Sequence, residues 1–186
     1  IRIITETGQK SPKRVVFAEA DNIKILKAAQ TAWEEGVAFP ILLGNRKIIQ
    51  DLIKEYSLEF PDVEMIDPKS DEEKERRTSF GLTFFEKRKR KGITEFEAIQ
   101  IMRDRNHFGA MMVEQGDADA MITGITRNYR DVVRPAIQTV GLQKGMTKIA
   151  GMYILSTKRG PLFLADTTIN LNPSAEDIAE ITSNVA

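Results

Sequence analysis

The sequence has no cysteine, one histidine and one tryptophan among its 186 residues. Disulfides and thiolate metal sites are therefore excluded, and a single histidine does not make the usual kind of metal site alone. Excess charge of either sign is also missing, since 27 Lys plus Arg balance 27 Asp plus Glu. Such a chain exerts no bulk pull on nucleic acid or on an anionic membrane, so any anion site has to be local. No apolar run approaches the roughly 20 residues of a membrane span. The opening IRIITETGQKSPK lacks the apolar stretch of a signal peptide. The expectation is a cytoplasmic protein with no metal, no nucleic-acid partner and no membrane contact. Walker and dinucleotide glycine motifs, a nucleophile elbow and a His-Glu metal motif are absent, as are internal repeats.

Hydrophobic residues make up 41% of the chain, enough for one sizeable core or for one domain and part of another. RVVFAEA (14–20) is a β-branched and aromatic run that reads as a buried first strand. DNIKILKAAQTAWEEG (21–36) reads as a helix capped by Asp21, with Ile23, Leu26, Ala29 and Trp33 on one face and Gly36 at its end. AFPILLG (38–44) is a second strand. NRKIIQDLIKEYSL (45–58) is a helix capped by Asn45, with Ile48, Ile49, Leu52 and Ile53 inward, and VEMIDP (63–68) is a short third strand. Strand and helix alternate, which predicts an α/β fold with a mostly parallel sheet, flanked by helices and joined by right-handed crossovers. From Ser70 to Lys91 the pattern predicts a polar helix, acidic at Asp71–Glu73 and basic at Lys87–Lys91, the order favoured by the helix dipole, with Gly92 ending it. A further helix, capped by Thr94 with Glu97 at the capping-box position, is expected to run to about Gly116. ADAMITG (118–124) then reads as a strand, and the chain turns helical from about Arg130.

Beyond GLQKG (141–145), the apolar runs KIAGMYILST (148–157) and GPLFLADT (160–167) are separated by Lys158-Arg159, too short a join for a crossover helix. They predict an antiparallel hairpin in a new sheet, so that 1–144 is a first α/β domain and 145–186 the start of a second. A helix capped by Ser174 follows. The first residue is Ile1 and the last helix has no capping glycine, so the chain reads as a segment of a longer protein with its second domain truncated.

The segment ADAMITGITRNYRDVVRPAIQ (118–138) concentrates cations just past a strand end, at Arg127, Arg130 and Arg134. Ligands of open α/β sheets bind beyond the carboxyl ends of strands. Gly124 lets backbone approach a ligand, Thr123 offers a hydroxyl, N–H groups entering the next helix favour an anion, and Arg134 is the preferred guanidinium of the three. The competing interpretation is a plain strand, turn and helix with solvated arginines. The run Lys87–Lys91 either grips a phosphorylated ligand, with Arg88 turned into a cleft, or is a solvated helix end. His107 reads as a packed or partly exposed helix residue rather than a catalyst, and Met102, Phe108, Met111 and Met112 as core. Asp166 and Asn170 either line a cleft or build the turn before the last helix through Asx hydrogen bonds.

Five segments occur in the order and spacing of a known family: KRVVFAEADNIKILKAA, FEKRKRKGIT, FGAMMVEQGDADAMITG, VVRPAIQ and LADTTINLNPSAEDIAEI. From about Lys13 to its end the chain resembles the phosphate acetyltransferase (phosphotransacetylase) family. That resemblance implies acetyl transfer between coenzyme A and phosphate, and a two-domain α/β architecture similar to isocitrate dehydrogenase with the active site in the interdomain cleft. Arg88 resembles the cleft arginine of the family's Arg-Lys-x-Lys-Gly segment. Arg134 resembles the arginine before proline that meets the phosphate or the coenzyme A phosphates, and Thr123-Gly124 stands where Ser-Gly is usual. The family's later catalytic serine, arginine and aspartate would fall beyond residue 186, so no catalytic residue is assigned.

The departures point to a subgroup. Ala18-Glu19-Ala20 replaces Pro-Glu-Gly, and bulky Arg127 and Tyr129 follow Thr-Gly where small residues are usual. These features are more similar to the phosphotransacetylase-like C-terminal domain of large NADP-dependent malic enzymes. That similarity implies a regulatory and assembly domain of a homo-oligomer. Acetyl-CoA or a related acyl-CoA would bind at Arg134, Arg88, Thr123, Gly124 and Arg127. The parent reaction would be oxidative decarboxylation of malate to pyruvate, with NADP and Mg or Mn held outside this segment, which would itself hold no cofactor. The alternative is a working phosphate acetyltransferase that makes acetyl phosphate and CoA from acetyl-CoA and phosphate. A third reading is a domain that only holds subunits together.

Overall fold

A computed structural model of the protein describes residues 2–60 and 62–185, which divide into two compact units, one of residues 2–140 and one from residue 141 onward. The first unit is built on a four-stranded parallel sheet of β1 (Lys13–Phe17), β2 (Ala38–Leu43), β3 (Glu64–Ile66) and β4 (Ala120–Ile122), in the order β3-β2-β1-β4. Side chains alternate across it. Val15 and Phe17 pack with Leu26 and Ala29 of α2 (Ile23–Glu34) and Ile49 of α3 (Arg46–Glu55). On the opposite face, Val16 and Ala18 pack with Phe80 and Phe84 of α4 (Lys74–Arg88), Ala98 of α5 (Glu95–Ile101), and Phe108, Met111 and Met112 of α6 (Arg105–Gln115). Helices cover both faces, which is why β1 and β2 are nearly continuous apolar runs. The expected α/β class, a mostly parallel sheet between helices, is what the chain adopts. No helix of the described residues is long and apolar enough to cross a membrane.

Several boundaries differ from the sequence expectation. The first strand stops at Phe17, although Ala18 N–H still reaches Ile122 O (3.0 Å) and Ala20 N–H reaches Leu43 O (3.1 Å). Asn22, not Asp21, caps α2 by accepting from Lys24 N–H at 2.9 Å, and Asp21 pairs with Arg105 instead. The buried face of α2 is Ile25, Leu26 and Ala29, with Trp33 half-buried. In α3 the Asn45 cap forms, but Ile48 is exposed while Ile49 is fully buried. The helix expected from Thr94 to Gly116 is two helices. Its capping box forms, but Asp104 starts a new helix by accepting from Asn106 N–H (3.1 Å) and His107 N–H (3.2 Å). A helix α1 (Arg2–Gln9), not expected from the apolar pattern, precedes β1.

Chain order gives the first unit its functional geometry. From β1 the chain steps through β2 to β3 on one side, whereas β4 lies on the other side of β1. Such a reversal opens a crevice at the carboxyl ends of β1 and β4. The last helix of this unit, α7 (Tyr129–Thr139), carries Pro135 in its interior. Proline has no N–H for the carbonyl four residues back. Here that carbonyl, Asp131 O, accepts from Asn106 Nδ2 of α6 at 3.3 Å, so the proline ties α7 to its neighbour.

The second unit holds the hairpin of β5 (Met152–Thr157) and β6 (Gly160–Ala165), paired antiparallel from Met152↔Ala165 to Thr157↔Gly160, and α8 (Ala175–Val185). Ser174 Oγ caps α8 by accepting from Asp177 N–H at 3.2 Å. Glu180 of α8 accepts from Thr147 N–H (2.6 Å) and Lys148 N–H (2.8 Å), fastening the helix to the segment before β5.

Candidate functional site

Glu19 follows β1 and Thr123-Gly124 follows β4, so all three lie at the crevice of the strand reversal. Glu19 is fully buried. Its Oε1 accepts from Gly124 N–H (2.7 Å) and Thr123 Oγ1 (3.0 Å), and its Oε2 accepts from Thr126 N–H (2.7 Å). Burial works to raise the carboxyl's pKa, but the bonds from Gly124, Thr126 and Thr123 outweigh it and hold the group below the ordinary carboxylate range. The strand-end donors expected to meet a ligand anion are therefore spent on an anion of the protein itself. Gly124, at φ +115°, brings its backbone close to Glu19 rather than to a free cleft. The single Thr123 hydroxyl proton is shared between Glu19 Oε1 and Asn106 Oδ1, the latter at 2.8 Å.

Beside this crevice, α4, α6 and α7 enclose a cavity of about 490 Å³ lined by Arg88, Lys91, Arg127 and Arg134 together with Asp104 and His107. Arg88, Lys91 and Arg134 have no ion-pair partner among the described residues. Four cations face two carboxylates there, Asp104, which Arg127 engages, and Asp131, which accepts from Asn128 Nδ2 at 2.7 Å; the remaining positive excess favours an anionic guest. The basic run 87–91 is thus divided by role. Lys87 pairs with Glu114 and reaches Thr139 O at 2.9 Å, Lys89 pairs with Glu86, and Arg88 and Lys91 face the cavity.

Arg127 and Asp104 also line a second cavity of about 370 Å³, whose other walls include Asp21, Gly44, Asn45 and Asp67 at the carboxyl ends of β1, β2 and β3. The pair therefore forms the partition between the two spaces. Arg127 Nη1 donates to Asp104 Oδ1 at 2.7 Å, while His107 Nδ1 lies 3.1 Å from Asp104 Oδ2. Burial works to raise the Asp104 pKa, but His107, Arg127 and the capped N–H groups hold it well below the usual carboxylate range. His107 Nε2 lies 3.2 Å from Gln138 Oε1, and its ring meets the Phe84 ring edge-on with centroids 5.8 Å apart.

Of the five residues read from the sequence, the structure gathers Arg88, Arg127 and Arg134 on one cavity, whereas Thr123 and Gly124 do not line it. Two partners escaped the sequence reading. Asp104 carried a usable signal, a cap-type residue three positions before His107. Glu19 carried none, because its role depends on donors more than a hundred residues away. Asp166 and Asn170 build a turn: Asp166 accepts from Gly151 N–H (2.8 Å) and Asn170 N–H (2.6 Å), and Asn170 Nδ2 donates to Ile149 O (2.7 Å). Among the described residues no group of three or more His, Asp or Glu is placed to hold a metal ion. The guanidinium-lined cavity instead suits the phosphates of an organic ligand.

Comparison with known proteins agrees with this architecture. A phosphate acetyltransferase from Synechocystis sp. is 32% identical over 96% of this chain and 25% of its own length. An NADP-dependent malic enzyme from Escherichia coli is 33% identical over 96% of this chain and 24% of its own. The chain thus spans about a quarter of these relatives. A solved EutD phosphotransacetylase from Staphylococcus aureus superposes with a TM-score of 0.83 at 27% identity, over 97% of this chain and 53% of that one. The profile of the phosphate acetyl/butaryl transferase family matches residues 1–186, and the chain belongs to that family.

Proposed function

We infer that this chain is the phosphotransacetylase-like domain of an NADP-dependent malic enzyme, and that it binds acetyl-CoA or a related acyl-CoA to regulate and assemble the parent enzyme. The observation that carries the reading is the convergence of Arg88, Lys91 and Arg134, free of acidic partners among the described residues, on one cavity with Arg127. The phosphates of coenzyme A supply the missing negative charge, and guanidinium groups bind them bidentately. The acyl-CoA biases an equilibrium of the homo-oligomer through its differential affinity for two states, which is all that coupling to a distant malate site requires. NADP and Mg or Mn would act in the parent's malic enzyme portion, in the cytoplasm. The bulk of Arg127 and Tyr129 just beyond Thr123-Gly124 supports a binding role over acetyl transfer.

The second reading, an active phosphate acetyltransferase, is favoured by the names of the Synechocystis relative and the Staphylococcus structure. One set of assays on the full-length protein separates them. Acetyl-CoA is titrated while malate oxidation is followed by NADPH formation, and acetyl phosphate formation is measured in parallel. The regulatory reading expects acetyl-CoA to change malate oxidation and Arg134→Ala to abolish the change. Robust acetyl phosphate formation that Arg134→Ala removes would establish the transferase. A protein whose oligomer breaks on deletion of this domain, while acetyl-CoA neither binds nor alters malate oxidation, would have only a scaffold here.

A further inference from the structure

Glu19 is a buried carboxylate with no cationic partner among the described residues, yet its charge is held by three donors of a single turn. The last of these donors, Thr126, is bonded directly to Arg127. Arg127 is thereby fixed at both ends, by the Glu19–Thr126 bond next to its backbone and by Asp104 at its tip (2.7 Å). Only one guanidinium nitrogen is used by Asp104, and an arginine carries five N–H donors in a planar fork. The side chain is therefore anchored at its tip without being saturated, and it borders both cavities. We propose that Glu19 is a positioning residue that, through the 123–126 turn, presents Arg127 to phosphate groups in the cavity it shares with Arg88 and Arg134.

The chemistry requires a carboxylate at this place. Each oxygen of Glu19 accepts a different backbone N–H, Gly124 on one side and Thr126 on the other. Glutamine keeps the length but offers one acceptor oxygen and one NH2, so one of the two amides loses its acceptor and meets a donor. The turn is then free to shift, and Arg127 with it. Arginine is well suited to such a post, because its pre-organised fork gives up little freedom on binding once the stem is fixed.

This inference rests on the reading that coenzyme A phosphates occupy the cavity, and the test keeps the two apart. Coenzyme A itself is the probe, titrated calorimetrically into full-length protein carrying Glu19→Gln, Arg127→Ala or both. Each single substitution is expected to weaken binding by about tenfold, and the double variant by no more than the stronger single one. Additive losses, or an unchanged affinity in Glu19→Gln beside a weakened Arg127→Ala, overturn the proposal. If wild-type protein ignores coenzyme A, the functional reading falls, and a ligand-free measurement decides the positioning role: NMR titration of the Asp104 carboxyl. Its pKa rises in Arg127→Ala and must rise in Glu19→Gln as well; an unmoved Asp104 in a folded Glu19→Gln protein overturns the proposal. Should Glu19→Gln fail to fold, Thr123→Val, which removes one donor and keeps the charge, must show the same coupling to Arg127 at smaller size. Independence of the two substitutions there is equally fatal.

Discussion

Replacing Gly81 by alanine sets two effects of opposite sign against each other. Gly81 lies inside α4, where alanine is intrinsically the better helix former by about 1 kcal/mol. A methyl group there, however, would stand 2.6 Å from Ile99 Cα, 2.6 Å from Ile99 Cγ1 and 2.9 Å from Ile99 N. Ordinary carbon contacts begin near 3.5 Å, so α5 must retreat by roughly 1 Å. Two of the three atoms belong to backbone, and no rotamer change relieves them. Overpacking of this kind costs about 1–3 kcal/mol and occasionally more. Contacts this short to backbone place the cost in the upper part of that range, about 2–3 kcal/mol, so the expected balance is a net loss of about 1–2 kcal/mol, or a fall in melting temperature of roughly 2–8 °C for a chain of this size. Urea and thermal unfolding of wild type, Gly81→Ala and Gly8→Ala measure it. Gly8 is the control, since its added methyl would meet Val37 at an ordinary 3.5 Å. The retreat also reaches the site, because α5 leads through the 102–104 turn to Asp104, the anchor of Arg127. A Gly81→Ala protein as stable as wild type, or more so, would refute the close α4–α5 packing on which the cavity wall depends.

Two further outcomes follow from the same structure. Arg77 is buried and donates from Nη1 to Pro68 O (2.9 Å) and to Ser70 O; Arg77→Ala strands these carbonyls and is expected to cost about 2–4 kcal/mol by urea titration, with a loss under 1 kcal/mol counting against the assignment. Asp119 is held at about 2, chiefly by the hydrogen bond from the Arg14 side chain, against an ordinary 3.8. A depressed folded pKa gives stability that is complete above the ordinary value and is lost as pH falls toward the folded one. The urea midpoint should therefore drop between these two values, and Asp119→Asn should flatten that part of the profile; superimposable profiles would count against the pair.

The fold was legible wherever a local pattern and long-range packing demanded the same thing. β1 and β2 are buried on both faces, so their apolar runs could hardly be misplaced, and Asn45, Thr94 with Glu97, and Ser174 cap where their side chains predict. The errors arise where one pattern fits two structures. Ala98, Met102, Phe108 and Met112 all join one core cluster, so apolar periodicity ran unbroken across the turn at Asp104. Helix α1 is rich in β-branched residues and contains Gly8, a composition that argues against a helix. The arginines of the site were visible as charge in a balanced chain, but their division was not. Arg127 is tethered by an aspartate 23 positions away, and Lys87 by a glutamate 27 away. Glu19 is the extreme case, since a buried anion inside an apolar stretch makes sense only when β4 brings its donors alongside β1.

The most direct test of the account is the salt dependence of coenzyme A affinity in the full-length protein, measured for wild type, Arg88→Ala and Arg134→Ala. Ion pairs with phosphate weaken as salt rises, and each lost pair lowers the sensitivity. Tight, strongly salt-sensitive binding is expected, and both substitutions should weaken it and make it less sensitive to salt. Binding indifferent to salt and to both arginines would contradict it.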